Sequence, residues 1–437
     1  MTRNVSRDIE SYFDRLWPLN RSITGLGYRA SLDILAELVP TDRLMFESGR
    51  RVFDWIVPKE WHVRRAFFVD PLGITHADFS TSNLHLVSYS VPVEAELTLE
   101  QLRPHLYSLP ENPVAIPYVT SYYAENWGFC LTHEELQRLP EGTYRVVIDS
   151  ELSDGHVEVG EAVLPGETND EVLFSSYLCH PSLANDQLSG PLVLAFLYDR
   201  LSAMTTTRRF TYRFALWPET IGSLCYLSLR GGHLKEHMVA GFQLACLGDR
   251  GAFTYKLSRR ADTLADRAAR IVLRDQGPHT IVPFDPTNGS DERQLCSPGF
   301  NLPFGGLMRT IYGGFPQYHT SLDNKAYISP EALAGSVEMA AAIAEALETN
   351  ERWRNTVQYG EPQLGRRGLY PNISSSPILK DDVQAAMWLL NLADDQHDLL
   401  EIAEQSNQKL RALSRAASAL SAAGLLERCD HRAFRQE

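Results

Sequence analysis

The chain has 437 residues, 44% of them hydrophobic and 22% charged, and its 41 Lys and Arg against 55 Asp and Glu give a formal net charge of −14. This composition is typical of a folded protein of about two or three domains and excludes a mainly disordered, collagen-like or disulfide-scaffold chain. The acidic balance argues against nucleic acid as the main partner, because binding phosphates requires clustered Lys and Arg.

The first residues and the cysteines indicate a compartment. The first twenty residues are polar and charged and lack the apolar core of a signal peptide. The longest apolar runs, such as 191–198, are too short to span a bilayer, so we expect a cytoplasmic chain that does not bind membranes. The widely spaced cysteines form no CxxC pair and are predicted to be buried free thiols. They are Cys130, Cys179, Cys225, Cys246, Cys296 and Cys429.

The first part of the chain changes from helical to β-type patterning. Apolar residues recur at helical spacing in 5–40, and Pro18 and Pro40 end the two predicted helices. From 43 to 166, short runs such as RRAFFVD and GTYRVVID alternate with Pro and Gly, which predicts a β-rich inserted domain. Its aromatic residues are expected to form the core of the insertion or to line a substrate cleft. They include Trp55, Trp61, Tyr122, Tyr123 and Trp127.

Strands and helices alternate from 171 to 350, which predicts an α/β fold with a mixed, mainly parallel sheet sandwiched by helices. EVLFSSYLC is a nearly continuous apolar run, typical of a strand buried on both faces. PEALAGSVEMAAAIAEALETN predicts a long helix with Pro in its first turn. We therefore assign 1–42 and 167–360 to one discontinuous domain that is split by the insertion at 43–166.

The last part of the chain predicts a small helical domain. Residues 370–437 follow an SSSP segment and contain three helical patterns and then LLER, the outline of a winged-helix-like domain. Lys409, Arg411 and Arg415 on the third helix could face DNA, but acidic residues surround them. Packing against the rest of the chain, or formation of a homo-oligomer, is the favoured role.

Polar residues follow successive strands of the α/β segment. His180 and Asp186 come after the first strand, Glu219 after the second and Asp249 after the third, and a later loop adds His319. Because ligands bind at the carboxyl ends of strands in open α/β sheets, we expect these side chains to lie together. Zn²⁺ prefers imidazole and carboxylate ligands and can activate water. The pattern therefore predicts a zinc centre in which Glu219 is the general base and the other four residues are ligands. Taken alone, Asp186 could instead cap a helix and Asp249 could be a turn residue.

Six motifs follow one another in this segment: CHPSLA, NDQLSG, PETIGS, GDRG, GSDE and YHTSLD. In this order they resemble the zinc aminopeptidases of the bacterial leucyl-aminopeptidase type, whose relatives include glutaminyl cyclases. The resemblance covers about 171–350 and implies that Asp186 bridges two metals. More narrowly, the whole chain resembles bacterial aminopeptidase-like proteins with a β-rich insertion and a C-terminal winged helix, found beside polysaccharide and natural-product biosynthesis genes.

The chain departs from the aminopeptidase pattern at three places. The aminopeptidases carry an orienting Asp two residues after the first His, whereas Ser182 stands there, so another group must orient His180. Thr220 follows the base Glu219 where the family has a ligand Glu, and Glu292 replaces a His. Residues beside the metal are expected to bind substrate or support the ligands: Asp323, Asp291, Glu292, Thr220 and Tyr318.

These departures change the expected number of metals. We predict one tight zinc on His180, Asp186 and Asp249, while a second site on Asp186 and His319 is weak or absent. If Glu219 is itself a ligand, the base is unidentified.

The resemblance implies a zinc-dependent, aminopeptidase-type hydrolase of a peptide or amide bond. Its expected substrate is a small peptide or an aminoacylated small molecule with a free amino group. Two alternatives stay open: an acyl-transfer or cyclising enzyme of the glutaminyl-cyclase type, and a degenerate peptidase fold that acts as a binding or regulatory module.

Overall fold

The computed structural model of the protein describes residues 5–369 and 380–429, with backbone only for 380–382. The predicted SSSP loop at 374–377 and the last eight residues of the predicted C-terminal domain lie outside these ranges. Within them, no helix combines the length and the apolar character needed to cross a bilayer.

The two predicted N-terminal helices and the long helix that begins at Pro330 are confirmed. The helices are α1 (Val5–Leu16), α2 (Leu26–Leu35), α3 (Leu99–Leu102), α4 (His133–Arg138), α5 (Ser189–Ser202), α6 (Ile221–His237), α7 (Leu264–Gln276), α8 (Glu292–Leu295), α9 (Pro330–Thr349), α10 (Lys380–Leu392), α11 (Leu399–Ser406) and α12 (Leu410–Ala422). Short 3₁₀ turns lie at 83–85, 103–105 and 365–367, and Ala184–Leu188 forms a π-helical turn.

The strands build one large sheet and several small ones. They are β1 (Asp42–Glu47), β2 (Arg51–Val52), β3 (Trp55–Ile56), β4 (Glu60–Val69), β5 (Thr75–His76), β6 (Val93–Thr98), β7 (Leu106–Tyr107), β8 (Phe129–Cys130), β9 (Thr143–Ser153), β10 (His156–Leu164), β11 (Glu171–Tyr177), β12 (Thr211–Trp217), β13 (Met238–Leu244), β14 (Phe253–Lys256), β15 (His279–Val282), β16 (Phe304–Met308), β17 (Arg352–Asn355), β18 (Asp394–Asp398) and β19 (Leu426–Arg428).

The large sheet confirms the predicted α/β fold. Its order is β1-β10-β12-β11-β13-β16-β14-β15. The central strand β11 is parallel to β12 and β13, and β13 is parallel to β16, while β1, β10 and β14 add antiparallel pairs. All seven residues of β11 are buried, as the apolar run predicted. Phe174 packs into the apolar cluster on one face, with α1, α5, α7 and α9, and its neighbour Leu173 packs into the cluster on the other face, with α6. Helices therefore cover both faces of the sheet.

The β-rich segment is less separate from the large sheet than the boundaries 43–166 imply. Strands β1 and β10, at its two ends, pair with each other antiparallel, and β10 continues the large sheet to β12. Only the residues between them lie outside this sheet, with β5-β4-β9-β6 as a four-stranded sheet of their own. Patterning shows that a run is a strand but not which distant strand it pairs with. The sequence therefore assigned β1 and β10 to the insertion, although they pair within the large sheet.

The C-terminal domain begins earlier than the predicted residue 370. Strand β17, at 352–355, forms a three-stranded sheet with β18 and β19, and the three predicted helices α10, α11 and α12 pack around it. The sequence missed β18 because its residues, DDQHD, are polar and mostly exposed. Trp353 and Leu413 share one apolar cluster with α9, so this domain is continuous with the main core.

Candidate metal centre

The loops after the central strands carry the predicted site residues. His180 follows β11, Glu219 follows β12, and Asp249 lies beyond β13. These three strands run parallel, so their carboxyl ends meet at one edge of the sheet. His319 reaches the same edge from the loop between β16 and α9.

Three of the predicted ligands converge there. Ligand atoms of His180, Asp186 and His319 all lie within 4.8 Å of one another. The Oδ2 atom of Asp186 is 3.0 Å from Nε2 of His319 and 3.9 Å from Nε2 of His180. This oxygen is buried and accepts no well-formed hydrogen bond from the described residues. A buried, unsatisfied carboxylate oxygen facing two imidazoles is costly alone and matches the donors that zinc prefers, so these residues fit one zinc ion.

Asp249, the fourth predicted ligand, lies outside this group of ligand atoms. Its Oδ1 atom accepts hydrogen bonds from the Gly251 amide at 2.6 Å and the Thr310 hydroxyl at 2.9 Å. Its Oδ2 atom accepts from the Asn185 side chain and the Thr310 amide, both at 3.1 Å. Both carboxylate oxygens thus accept hydrogen bonds from three separate segments of the chain, and His319 is the residue that joins His180 and Asp186.

Asp323 holds the turn that carries Asp186. The backbone amides of Asn185 and Asp186 donate to its two oxygens at 2.7 and 2.9 Å, and the Ala184 amide donates to its carbonyl. Burial raises the pKa of Asp323 to about 7. These bonds fix the π-helical turn Ala184–Leu188, a rare feature that is frequent at functional sites.

Gln187 is a hydrogen-bond partner of His180 that the sequence reasoning missed. Its Oε1 atom accepts a hydrogen bond from Nδ1 of His180 at 2.9 Å, as well as the amides of His180 and Cys179, and its Nε2 donates to the Tyr177 carbonyl. It therefore orients His180 and leaves Nε2 for a metal, the role of the Asp that Ser182 replaces. Burial lowers the pKa of His180 to about 4, so this imidazole is neutral. The sequence shows that the usual acceptor for His180 is replaced by Ser182, but it does not indicate that Gln187 supplies the acceptor instead.

Glu219 lies beside the three converging residues. Its Oε2 atom is 3.8 Å from Nε2 of His180, and its Oε1 accepts a short hydrogen bond from the hydroxyl of Ser290. Burial, followed by the charge of Asp186, raises the pKa of Glu219 to about 7. Cys179, His180 and Glu219 form a second group of possible ligand atoms, so geometry allows Glu219 to act as a base or as a ligand.

A strained turn presents Glu219. Thr220 has φ 63° and ψ −70°, and the Ile221 amide donates to the Glu219 carbonyl at 2.8 Å, which makes a rare three-residue γ-turn. Asp291 supports the turn by accepting the Thr220 amide at 2.8 Å, the Ser223 hydroxyl and the Trp217 indole. Burial, then the charge of Glu219, raises the pKa of Asp291 to about 7. Thr220 thus contributes its backbone conformation, which orients the neighbouring Glu219.

The last two predicted site residues, Tyr318 and Glu292, lie in different surroundings. Tyr318 stacks on His319, with ring centroids 3.9 Å apart. Glu292 is buried and binds the Lys256 ammonium at 2.8 Å and the Tyr312 hydroxyl at 2.7 Å. It therefore pairs with a buried lysine, and its expected role of binding substrate or supporting the ligands stays a prediction.

The β-rich segment reaches the site through Tyr118, which the sequence analysis did not single out. Its ring centroid lies 4.9 Å from that of His180 and 5.3 Å from that of His319. The Tyr118 amide donates to the His319 carbonyl at 2.8 Å, and the Ser321 amide donates to the Ile116 carbonyl. The loop that carries His319 is thus paired to the β-rich segment along its backbone.

Comparison with protein families divides the chain in two. The model for a domain of unknown function, DUF4910, matches residues 11–350, and a model for a winged helix-turn-helix matches residues 351–428. The second match begins at the residue before β17, in agreement with the three-stranded sheet described above.

Similar proteins confirm the resemblance of the whole chain to bacterial aminopeptidase-like proteins. A Clostridium acetobutylicum protein, provisionally named a polysaccharide biosynthesis protein with aminopeptidase-like domain, is 41% identical over 421 residues, 96% of each chain. A crystal structure from that organism, provisionally named a peptidase, has 40% identity and a TM-score of 0.90 over 97% of this chain and 96% of that one. A zinc aminopeptidase from Bacillus subtilis has 11% identity and a TM-score of 0.58 over 78% of this chain and 94% of that one. The last likeness shows an aminopeptidase-like fold alone.

Proposed function

We propose that this chain, which belongs to the family described as domain of unknown function DUF4910, is a zinc-dependent hydrolase. The bond it cleaves is a peptide or amide bond, and the reaction is of the aminopeptidase type. The observation that carries the proposal is the convergence of His180, Asp186 and His319, with Glu219 beside them. Zinc bound there would polarise the scissile carbonyl and lower the pKa of a water molecule.

The side chains divide the work as follows. His180 and His319 offer Nε2 to the metal, and Asp186 offers the unsatisfied Oδ2. Glu219 takes a proton from water at Oε2 and passes it to the leaving amine. Ser290 occupies the other oxygen of Glu219, which keeps Oε2 as the proton-carrying atom.

One tight zinc is the expected stoichiometry. Both oxygens of Asp249 accept hydrogen bonds from other protein groups, including Asn185 and Thr310, and Thr220 replaces the second glutamate. The proposed substrate is a small peptide or an aminoacylated small molecule with a free amino group. The provisional name of the Clostridium relative supports a setting in polysaccharide biosynthesis. Five buried free cysteines support a cytoplasmic location, with Cys429 partly exposed.

The test combines zinc content with turnover. After zinc loading and dialysis, we expect about one zinc per chain and release of nitroaniline from aminoacyl-nitroanilides. Glu219→Gln should keep the zinc and lose turnover by roughly 10²- to 10⁴-fold. Glu338→Gln, an exposed glutamate paired with Arg200, is the matched control and should behave as wild type.

Three outcomes would change the proposal. Loss of zinc in Glu219→Gln would make Glu219 a ligand. Failure of wild-type protein to retain zinc would leave a degenerate fold that serves binding or regulation. Turnover in ¹⁸O-labelled water that places no ¹⁸O in the product would assign acyl transfer or cyclisation instead of hydrolysis.

A further inference from the structure

A cavity of about 620 Å³ lies in the β-rich segment beside the metal centre. The β2–β3 hairpin and the segment 121–125 form its walls, and its volume suits a small organic group. Aromatic and apolar side chains dominate the lining, which also contains the charged residues Asp54, Lys59 and Glu125. The apolar and aromatic lining residues include Trp55, Ile56, Tyr89, Tyr122 and Tyr123.

Two tyrosines connect the cavity wall to the metal centre by side-chain contacts. The hydroxyls of Tyr122 and Tyr118 are 2.6 Å apart, and Tyr122 lines the cavity. The ring of Tyr118 in turn contacts His180 and His319. Two side chains, Tyr122 and Tyr118, therefore lie between the cavity and the candidate ligands.

The lining is exposed although it is apolar. Trp55, Tyr123 and Ile56 are 36%, 52% and 62% exposed, and the rings of Trp55 and Tyr123 contact each other edge to face. Side chains that belong to a hydrophobic core are buried, whereas contiguous exposed apolar surface marks a binding site. The predicted role of Trp55 and Tyr123 as core residues of the insertion is therefore wrong for these two.

The hairpin holds this surface in place before any ligand arrives. The Val57 amide donates to the Arg50 carbonyl at 2.9 Å, and the Gly49 amide donates to the Val57 carbonyl at 2.8 Å. At the hairpin tip, Phe53 contacts Phe300 of the α/β domain, with ring centroids 5.6 Å apart. A preformed wall lowers the entropic cost of binding.

We propose that this cavity binds a flat ring with an apolar face on the substrate, next to the bond that is cleaved at the metal centre. The ring is either an aromatic group or the apolar face of a sugar, both of which stack on Trp and Tyr. This assignment rests on the proposed function, because the zinc anchors the other end of the substrate.

The experiment uses zinc-loaded, full-length protein and two probes, L-phenylalanine hydroxamate and glycine hydroxamate. Both offer a metal-binding group, and only the first carries a ring. We expect wild type to bind the first at least about tenfold more tightly by calorimetry. This ratio should fall towards one in Trp55→Ala and in Tyr123→Ala. Trp388→Ala, which removes a similarly exposed tryptophan (40%) from the C-terminal domain, should keep the wild-type ratio.

The outcomes separate this proposal from the one it rests on. Failure of both hydroxamates to bind would overturn the metal centre and the cavity assignment together. Binding of both with a ratio that Trp55→Ala does not change would overturn the cavity assignment alone, as would a dimer that Trp55→Ala converts to a monomer without changing the ratio. N-glycylglucosamine binding more tightly than glycinamide would identify a sugar ring. The reverse order, together with the preference for L-phenylalanine hydroxamate, would identify an aromatic group.

Discussion

The β-rich segment and the C-terminal winged helix are attached to the same α/β domain but stand in different relations to its site. The β-rich segment pairs with the loop of His319 and places Tyr118 against two candidate ligands. The winged helix follows α9, which starts near the site, where the Ser329 amide donates to the Gly248 carbonyl, and runs for 20 residues, about 30 Å. The β-rich segment therefore contacts the candidate site, whereas the winged helix packs at the far end of α9.

The contacts of the winged helix are those of a docked domain. Arg267 on α7 binds Glu401 at 2.6 Å, and Arg274 donates to the carbonyl of Ala403. The Leu410 amide at the start of α12 donates to Asp275, so the start of this helix lies against α7. In winged-helix proteins that bind DNA, the second helix of the helix-turn-helix enters the groove. The expectation that this domain packs instead of binding nucleic acid stays a prediction.

The largest effect is expected for the ligands themselves. Asp186→Asn removes the charge of the unsatisfied oxygen, and we expect no zinc to remain after dialysis and no turnover. Asp249→Asn is the control and should retain zinc, because the oxygens of Asp249 already accept hydrogen bonds from Gly251 and Thr310. Equal loss of zinc in the two variants, measured by mass spectrometry of the metal, would restore Asp249 to the ligand set.

A smaller effect is expected for Gln187. Gln187→Leu removes the acceptor that orients His180, and zinc affinity should fall about 10- to 100-fold. Gln187→Glu keeps an accepting oxygen, so its zinc affinity should fall less than that of Gln187→Leu. Competition with a chromophoric chelator measures both, and identical affinities in Gln187→Leu and wild type would assign the orientation of His180 to another group.

Tyr118 tests whether the β-rich segment supports the site. Tyr118→Ala removes the ring that contacts His180 and His319, and zinc affinity should fall about tenfold because this ring shields the ligands from water. Tyr118→Phe keeps the ring and should bind zinc as wild type does. Unchanged zinc affinity in the alanine variant would remove the difference between the two attachments.

The smallest effect on the site is expected from the winged helix. Arg267→Ala leaves the buried Asp398 and the partly buried Glu401 without their partner and should lower the free energy of unfolding by about 2 kcal/mol. Zinc affinity and turnover should not change. Arg64→Ala, which breaks an exposed pair with Asp149, should cost under about 1 kcal/mol in urea unfolding. A loss of turnover in Arg267→Ala without unfolding would connect this domain to the site.

The sequence by itself determined the α/β fold, the order of the motifs and the edge of the sheet at which they meet. These follow from local rules, because periodicity reports how each residue faces the core and polar residues after parallel strands share one edge. His180, Asp186, His319 and Glu219 were placed together on that basis, and the structure brings them together.

Only the tertiary structure decided which neighbours each site residue has. It turned Asp249 towards Thr310, gave His180 its acceptor in Gln187, and brought Tyr118 to His319 from a distant part of the chain. It also moved β1 and β10 into the large sheet. Such choices depend on pairing and packing between segments far apart in sequence, where the donors, acceptors and apolar faces that compete for each residue are set by the whole fold.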